Sequence, residues 1–326
     1  MDFVFLILLS LAVFIVILIA WVKFIKIGSV CEVEVDLTGK TAVVTGGNRG
    51  CGKHIAIGLA KCNARVIIAC RNVSKGLRAV EEIRLRSHNR NVHLMKLDLA
   101  DFESIKNFVK IFIYAEWCCH ILVNNAAIVA EGETKDELDM IIGTNHFGPF
   151  LLTNLMLPVF RKTAKNSPVR IVNLVSDIHK LGKIDLENLT SITNREMYSI
   201  QVALQYANSK LMNVYFTTEL SKRIKNENIT AYAAHPGAFI SHLGENLAAE
   251  RGFLISTIRY LVMLIFGRSP YYGSQTPLYC CLQPGLEKFS GKYFVDMKMQ
   301  AWSTVAMNSE VGKRLWERSE ELCGLG

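Results

Sequence analysis

The sequence lacks the patterns of a metal site and of a disulfide framework. Its nine cysteines are an odd number, no C-x-x-C pair occurs, and the eight histidines are dispersed without an H-E-x-x-H motif. Adjacent cysteines, as at 118–119 and 280–281, suit neither a zinc site nor a simple disulfide framework. We expect free thiols, a reducing compartment and no bound metal. Three histidines are expected to be packed or hydrogen-bonded rather than metal-binding: His146, His179 and His235.

Linkers, repeats and clustered charge are also missing from the sequence. No Pro-, Gly- or Ser-rich stretch divides the 326 residues, and no internal repeat or low-complexity tract occurs. We therefore expect one large domain with an additional segment at the N-terminus. The net charge of +8 is scattered and accompanies no nucleic-acid-binding motif, so no nucleic-acid partner is expected. A basic surface suits an anionic membrane or an anionic cofactor.

One long apolar run is present, at the N-terminus. Residues 3–22 contain Ser10 as their only polar member apart from the indole of Trp21. A helix of this length spans about 30 Å, the thickness of a bilayer's hydrocarbon core. Asp2 precedes the run and no good cleavage site follows it, which favours a retained anchor over a cleaved signal peptide.

Charges beside this run predict its orientation. Lys23 and Lys26 follow the run, so the positive-inside rule places the rest of the chain in the cytosol. This orientation agrees with reduced cysteines. The lipid bilayer is then a partner through residues 3–22. The predicted parts of the chain are a membrane anchor (1–22), a juxtamembrane linker (23–39) and one large domain (40–326).

From residue 40 onward, short β-branched runs alternate with amphipathic segments such as Ser104–Tyr114. This alternation predicts βαβ units and a parallel sheet. The predicted fold class is α/β, a Rossmann-type doubly wound sheet in a single domain, with its ligand beyond the carboxyl ends of the strands. Gly291–Val295 is a candidate for a last strand. The six main predicted strands are Thr41–Thr45, Arg65–Ala69, Val92–Lys96, His120–Val123, Arg170–Val175 and Ile229–Ala234.

The first strand runs directly into a glycine-rich turn. Residues 45–52 read T-G-G-N-R-G-C-G, and a helical pattern follows. Glycines allow the backbone to turn sharply and to approach a pyrophosphate, whose charge a helix N-terminus favours. The strand–turn–helix context is the one that a dinucleotide site requires. The predicted cofactor-binding residues of this turn are Gly46, Asn48, Arg49, Gly50 and Gly52.

The second strand ends in Ala69-Cys70-Arg71, without an acidic residue. A site selective for NAD generally carries an acidic residue here for the ribose 2′-hydroxyl. The guanidinium groups of Arg71 and Arg49 can instead bind a 2′-phosphate through bidentate, charge-assisted hydrogen bonds. The alternative is that both are ordinary surface arginines. We predict NADP(H) as the cofactor.

The glycine spacing T-G-x-x-x-G-x-G differs from G-x-G-x-x-G and resembles that of the short-chain dehydrogenase/reductase family. Three more segments carry this resemblance, each after a predicted strand: Asp98-Leu99, Asn124-Asn125-Ala126-Ala127 and Pro236-Gly237. The resemblance implies that Asp98 lies near the adenine ring, together with Leu99. It also adds Asn125 and Ala126 to the cofactor site.

Two of these segments depart from the family pattern. Ala127 stands where N-N-A-G has its glycine, and P-G-A-F-I-S replaces P-G-x-V-x-T. The resemblance implies that Pro236 and Gly237 turn over the nicotinamide. Ser241 keeps the hydroxyl group that is expected to contact the carboxamide.

A tyrosine and a lysine four residues apart, Tyr206 and Lys210, share one face of a helical pattern. A phenol of pKa ~10 is a poor base at neutral pH, and an ammonium beside it would lower that pKa. The Y-x-x-x-K pattern also occurs by chance as a surface pair. Here it follows a strand ending in Ser176, where the family has its catalytic serine, and Asn145 falls at the family's active-site asparagine.

The resemblance implies a role for each of these four residues. Tyr206 is the general acid/base on the substrate oxygen, and Ser176 hydrogen-bonds that oxygen. Lys210 tunes Tyr206 and binds the nicotinamide ribose. Asn145 holds a water of the proton relay.

The sequence specifies the substrate class less closely than it specifies the catalytic residues. Residues 178–184, the Arg71 pattern and the N-terminal run resemble the microsomal retinol dehydrogenase-like subgroup, and the family resemblance covers roughly Lys40 to Phe294. It implies an NADP(H)-dependent oxidoreductase for a lipophilic alcohol or carbonyl such as retinol or retinal, at the endoplasmic reticulum and compatible with a homodimer. A steroid dehydrogenase, a broad carbonyl reductase and an inactive NADP-binding scaffold remain alternatives. The apolar segment Phe253–Phe266 could line the pocket, touch the bilayer or form a core helix.

Overall fold

The computed structural model describes residues 2–25, 28–115, 118–190, 198–237 and 268–326. In this part of the chain, eight strands form one sheet in the order β3-β2-β1-β4-β5-β6-β7-β8, parallel except for β8. Their bounds are β1 Thr41–Thr45, β2 Arg65–Cys70, β3 Val92–Lys96, β4 Ile121–Asn124, β5 Val169–Leu174, β6 Ile229–His235, β7 Tyr293–Val295 and β8 Lys298–Gln300. The predicted α/β fold with a parallel sheet is confirmed, and each predicted strand is present to within two residues. The short antiparallel β8 was not predicted.

The described part of the chain also contains α-helices. They are α1 Asp2–Ile25, α2 Gly50–Lys61, α3 Val73–Ser87, α4 Phe102–Tyr114, α5 Met140–Ile142, α6 Gly148–Ala164, α7 Tyr198–Arg223, α8 Pro270–Gly273, α9 Gln275–Leu282 and α10 Ser309–Leu322. A π-helical turn, Gly143–Phe147, joins α5 to α6. In the described residues, 3-10 turns cover Asp177–Leu181, Glu287–Phe289 and Thr304–Ala306.

Helices cover both faces of the sheet. Successive strand residues point to opposite faces, so each strand contributes to a core on either side. In β2, Ile67 joins the core that contains Phe108 of α4 and Phe150 of α6. Its neighbour Ile68 joins the core that contains Ile55 of α2. Helices α7 and α10 lie on the first face, and α3 and α9 on the second. The sheet is therefore doubly wound, and its order reverses between β1 and β4.

The N-terminal part of the chain begins with α1. Among the residues that the structure describes in full, no helix is both long and apolar enough to cross a membrane. The membrane anchor over residues 1–22 therefore stays a prediction.

Residues 31–37, which belong to the predicted juxtamembrane linker, lie along the domain. Leu37 is buried, and its amide donates to the carbonyl oxygen of Cys62 over 2.6 Å. Cys31 and Val33 pack against the second core, and the Cys31 amide donates to Gln275 Oε1 over 3.0 Å. This segment is thus fixed to α2 and α9.

Candidate active site

The turns that follow β1 and β4 are joined at the point where the strand order reverses. The side-chain amide of Asn125 donates to the carbonyl oxygen of Thr45 over 2.8 Å. The backbone amides of Asn125 and Ala126 both donate to Thr45 Oγ1 over 3.0 Å. These bonds fix the glycine turn to the segment after β4, at the edge where such sheets bind their ligands.

Gly46 and Gly52 in this turn have no room for a side chain. Gly46 has a φ of +65°, and an added Cβ would lie 3.1 Å from Cα of Ala126. At Gly52 an added Cβ would lie 2.4 Å from Asn125 Nδ2 and 2.6 Å from the carbonyl oxygen of Gly46. Glycine is therefore needed at these two places for close approach of the backbone.

Helix α2 starts inside this turn, with Arg49 as its N-cap and Gly50 as its first residue. No side chain caps the helix, and its first turn carries no acidic residue. The free amides and the helix dipole favour a phosphate group at this end. Together with the tight glycine cradle, this end of α2 fits the pyrophosphate of a dinucleotide. Asn48 is half-buried and Arg49 is exposed in the same turn.

The adenosine end of the predicted site brings together residues that follow β2 and β3. Arg71 Nε lies 3.9 Å from Asp98 Oδ2, and the Arg71 side chain is 69 % exposed. Asp98 is held in place, because its Oδ1 accepts from the Ala100 amide over 3.1 Å. Leu99 is buried against the start of α6. The guanidinium is thus exposed beside a fixed carboxylate.

Lys210 joins α7 to the end of β5. Its ammonium donates to the carbonyl oxygen of Leu174 over 3.1 Å and lies 5.5 Å from the ring centroid of Tyr206. Ser176 follows Leu174 by two residues, and its Oγ accepts from the Ile178 amide over 3.4 Å. The structure therefore places three of the four predicted catalytic residues around one strand end.

Burial determines the electrostatics of this group. It lowers the pKa of Lys210 to about 8 and raises the pKa of the Tyr206 phenol. The lowering of the Tyr206 pKa by the Lys210 ammonium stays a prediction. The ammonium lies over the ring, and burial of the phenol disfavours the phenolate. Near neutral pH Tyr206 is a protonated phenol, which can donate a proton.

Asn145 lies in the π-helical turn and is fully buried. Its Oδ1 accepts from the Ile128 amide over 2.8 Å, and its Nδ2 donates to the Ile128 carbonyl over 2.9 Å and to Ser209 Oγ over 3.2 Å. Its own carbonyl oxygen accepts from Asn213 Nδ2 over 2.9 Å. A carbonyl oxygen can accept a second bond, so a water bound here would use the backbone rather than the side chain. π-helical turns of this kind often occur at functional sites.

The turn after β6 contains Pro236 and Gly237. Gly237 has a φ of +76°, and an added Cβ would lie 3.1 Å from Arg268 Nη1. Arg268 is paired with Asp296 at the end of β7, where Nη2 lies 3.2 Å from Oδ2. No sequence signal pointed to Arg268. Ser241, Phe239 and the apolar segment 253–266 lie outside the described residues.

Three histidines predicted to be packed or hydrogen-bonded are so in the structure. His146 is buried, with Nδ1 3.2 Å from Asn213 Oδ1 and Nε2 3.1 Å from Ser319 Oγ. His235 Nε2 lies 3.6 Å from Asp177 Oδ2. His179 contacts Ser176, a role at the site that its position in the sequence did not reveal.

Comparison with known proteins identifies the family. Residues 40–252 match the sequence profile of the short chain dehydrogenases. The chain belongs to this family. It is 41% identical to retinol dehydrogenase 11 of Mus musculus over 325 residues, which cover 99% of this chain and 98% of that one. It is also 41% identical to human retinol dehydrogenase 12 over 300 residues, 91% of this chain and 90% of that one.

A solved structure has a similar fold. The crystal structure of an uncharacterized protein from Mycobacterium paratuberculosis has a TM-score of 0.70 and 29% identity, and covers 91% of this chain and 98% of that one. The chain is therefore a retinol dehydrogenase-like short-chain dehydrogenase/reductase, an oxidoreductase that acts on CH-OH groups. The family binds NAD(P), which the glycine cradle and the free end of α2 fit.

Proposed function

We propose that the protein is an NADP(H)-dependent oxidoreductase that interconverts a lipophilic alcohol and the corresponding carbonyl compound, of the retinol and retinal type. The observation that carries the reaction type is the placement of Lys210. Its buried ammonium joins the helix of Tyr206 to the strand end before Ser176. An isolated surface pair of tyrosine and lysine would have no such bond to the sheet.

The chemistry of each side chain follows from this placement. When bound, the reduced cofactor supplies the hydride. For carbonyl reduction, Ser176 donates a hydrogen bond to the substrate oxygen and stabilises the charge that develops there. Tyr206, a protonated phenol, gives its proton to the same oxygen. Lys210 would hold the ribose of a bound nicotinamide nucleotide and return a proton toward Tyr206, and Asn145 would hold the water that continues this relay.

The preference for NADP(H) rests on Arg71. Its guanidinium is exposed at the end of β2, where a 2′-phosphate can be reached, and Asp98 limits its movement on one side. Arg49 is exposed in the neighbouring turn. Two guanidinium groups can bind one phosphate through several charge-assisted hydrogen bonds.

The lipophilic substrate rests on two observations. The relatives named retinol dehydrogenase 11 and 12 align over most of the chain. The apolar residues 3–22 are long enough to hold the protein in a bilayer, where a retinoid, a sterol or a fatty aldehyde dissolves. A steroid dehydrogenase and a broad carbonyl reductase would use the same side chains.

The decisive experiment compares Tyr206→Phe with the parent protein. We expect turnover with NADPH to fall by at least roughly 10²-fold, the usual contribution of a general acid, while NADPH binding measured by fluorescence is retained. Tyr215→Phe is the matched control, since this tyrosine lies on the same helix but donates to the Val305 carbonyl. Retinal, a steroid ketone and a small aldehyde serve as substrates. A Tyr206→Phe protein with normal turnover would contradict the proposal.

We further propose that the protein is held in the endoplasmic reticulum membrane by residues 3–22, with its catalytic domain in the cytosol. Lys23 and Lys26 support this orientation. Protease added to sealed microsomes should digest the domain. Full protection of the domain in sealed vesicles would refute this orientation.

A further inference from the structure

One arginine touches both the start of the domain and the turn after β6. An added Cβ on Gly28 would lie 3.4 Å from Arg268 Nη1, and one on Gly237 would lie 3.1 Å from the same nitrogen. Arg268 is itself held by Asp296 at the end of β7. The place where the chain enters the domain is thus in contact with the turn expected over the nicotinamide.

This entry point is fixed on the domain. Gly28 is buried, with an added Cβ 3.6 Å from Cβ of Tyr272. Three residues later, the Cys31 amide donates to Gln275 Oε1 over 3.0 Å. Farther along, Leu37 is bonded to the end of α2. The segment from residue 28 to residue 37 therefore cannot swing Gly28 away from the site without breaking these contacts.

The chain between the apolar run and this point is short. Only residues 23–27 separate Val22 from Gly28. An extended chain spans at most 3.3–3.6 Å per residue, so Gly28 lies within about 20 Å of the end of the run. A compact domain of this size is about 50 Å across. With residues 3–22 in a bilayer, the edge that carries Gly28 would be the edge nearest the membrane, whatever path residues 23–27 take.

We infer that the carboxyl edge of the sheet, at the Pro236-Gly237 turn, faces the lipid bilayer and that the substrate enters the site from the bilayer. This inference rests on the proposed function and on the proposed anchor. Lys23 and Lys26 lie within the same short stretch and suit anionic headgroups. A lipophilic carbonyl compound dissolved in the bilayer then reaches the site without crossing water.

The distance between bound NADPH and the bilayer surface can be measured on the protein with its apolar run in place. It is placed in phosphatidylcholine/phosphatidylserine vesicles whose headgroups carry a fluorescent acceptor, and energy transfer from bound NADPH is recorded. A variant with 20 Gly/Ser residues inserted between Lys26 and Ile27 adds a flexible tether of about 25 Å. The control carries the same insert after Gly326. We expect strong transfer for the parent and the control, and clearly weaker transfer for the tethered variant.

Turnover supplies a second measurement. With retinal dissolved in the vesicles, the tethered variant should lose about fivefold in rate, because its site no longer lies against the bilayer. With a small water-soluble aldehyde, all three proteins should be equal. Equal energy transfer in the parent and the tethered variant, or equal rates with vesicle-bound retinal, would overturn the inference.

Failure of the proposed anchor and failure of the proposed function would give different results in these experiments. A protein that does not float with the vesicles lacks the anchor, which overturns the inference as well. A protein that turns over neither substrate contradicts the proposed function, while energy transfer from bound NADPH still tests which edge faces the bilayer.

Discussion

The ring of His179 donates from Nδ1 to the carbonyl oxygen of Ser176 over 2.7 Å. The backbone amide of His179 donates to the same oxygen over 3.0 Å. The ring is completely buried and lies edge-on to Tyr293, with the centroids 5.5 Å apart. The Tyr293 hydroxyl donates in turn to Asp177 Oδ1 over 3.0 Å. The backbone of Ser176 is therefore held by the side chain of His179 as well as by its own turn.

Replacing His179 should impair turnover more than cofactor binding. His179→Leu removes one of the two donors to the Ser176 carbonyl and leaves the backbone amide. The serine hydroxyl is then held less firmly at the substrate oxygen, and kcat should fall about tenfold with little change in the KM for NADPH. His179→Asn, whose amide can donate to the same carbonyl, should recover most of this loss. Equal kcat values for the two variants, with a lowered Tm in both, would indicate a purely structural role.

Arg71→Ala should weaken NADPH and leave NADH nearly unchanged. Losing hydrogen bonds to a charged phosphate costs roughly 1.5–3 kcal/mol, which corresponds to roughly 10- to 150-fold in affinity. Arg78→Ala, which removes another exposed arginine on α3, is the matched control. The dissociation constants of both cofactors are measured by fluorescence titration. An unchanged ratio between the two cofactors would remove Arg71 from 2′-phosphate recognition.

Gly52→Ala should disrupt the cofactor cradle, whereas Gly58→Ala on the same helix should not. A Cβ at Gly52 meets the backbone carbonyl of Gly46, which cannot move without distorting the turn. The three atoms nearest an added Cβ at Gly58 all belong to the side chain of Leu278, and the closest two are its terminal methyl carbons. Both changes give the same gain in helix propensity. We expect at least about tenfold weaker NADPH binding for Gly52→Ala alone, and equal affinities for the two variants would contradict this reading of the cradle.

Acidification should destabilise the protein partly through His146. Burial lowers the pKa of His146 to about 4, so the native state keeps this ring neutral while the unfolded chain, with an ordinary pKa near 6.5, binds a proton. The unfolded state thus binds more protons between these values, and the free energy of unfolding falls as the pH drops through this window. The contribution of His146 is about 2 kcal/mol between pH 7.5 and 5.

Urea unfolding of His146→Gln at both pH values measures this contribution. The fall in stability should be smaller for this variant than for the parent. His88→Asn is the control, because His88 is exposed and Asn tolerates its left-handed backbone, and it should behave like the parent. Burial also lowers the pKa of His120 to about 4. The loss of stability that His120 causes on acidification is therefore expected in all three proteins. A parent-like fall in His146→Gln would contradict the assignment.

The sequence by itself determined the order of the elements and most of their bounds. Alternating β-branched runs and 3.6-residue patterns are local signals, so β1 and β3 begin and end as predicted. The glycine turn and the spacing of Tyr206 and Lys210 are local in the same way, because a helix brings residues four apart to one face.

Only the tertiary structure decided which distant residues meet. It placed Asp98 beside Arg71 and His179 against the Ser176 carbonyl and Tyr293, and it put Arg268 between Gly28 and Gly237. It also set the direction of the pKa of Tyr206, since burial depends on every segment packed around the phenol. The physical reason is that parallel strands separated along the chain end at one edge of the sheet. Contacts at that edge follow from strand order and crossover paths, which no local spacing of residues encodes.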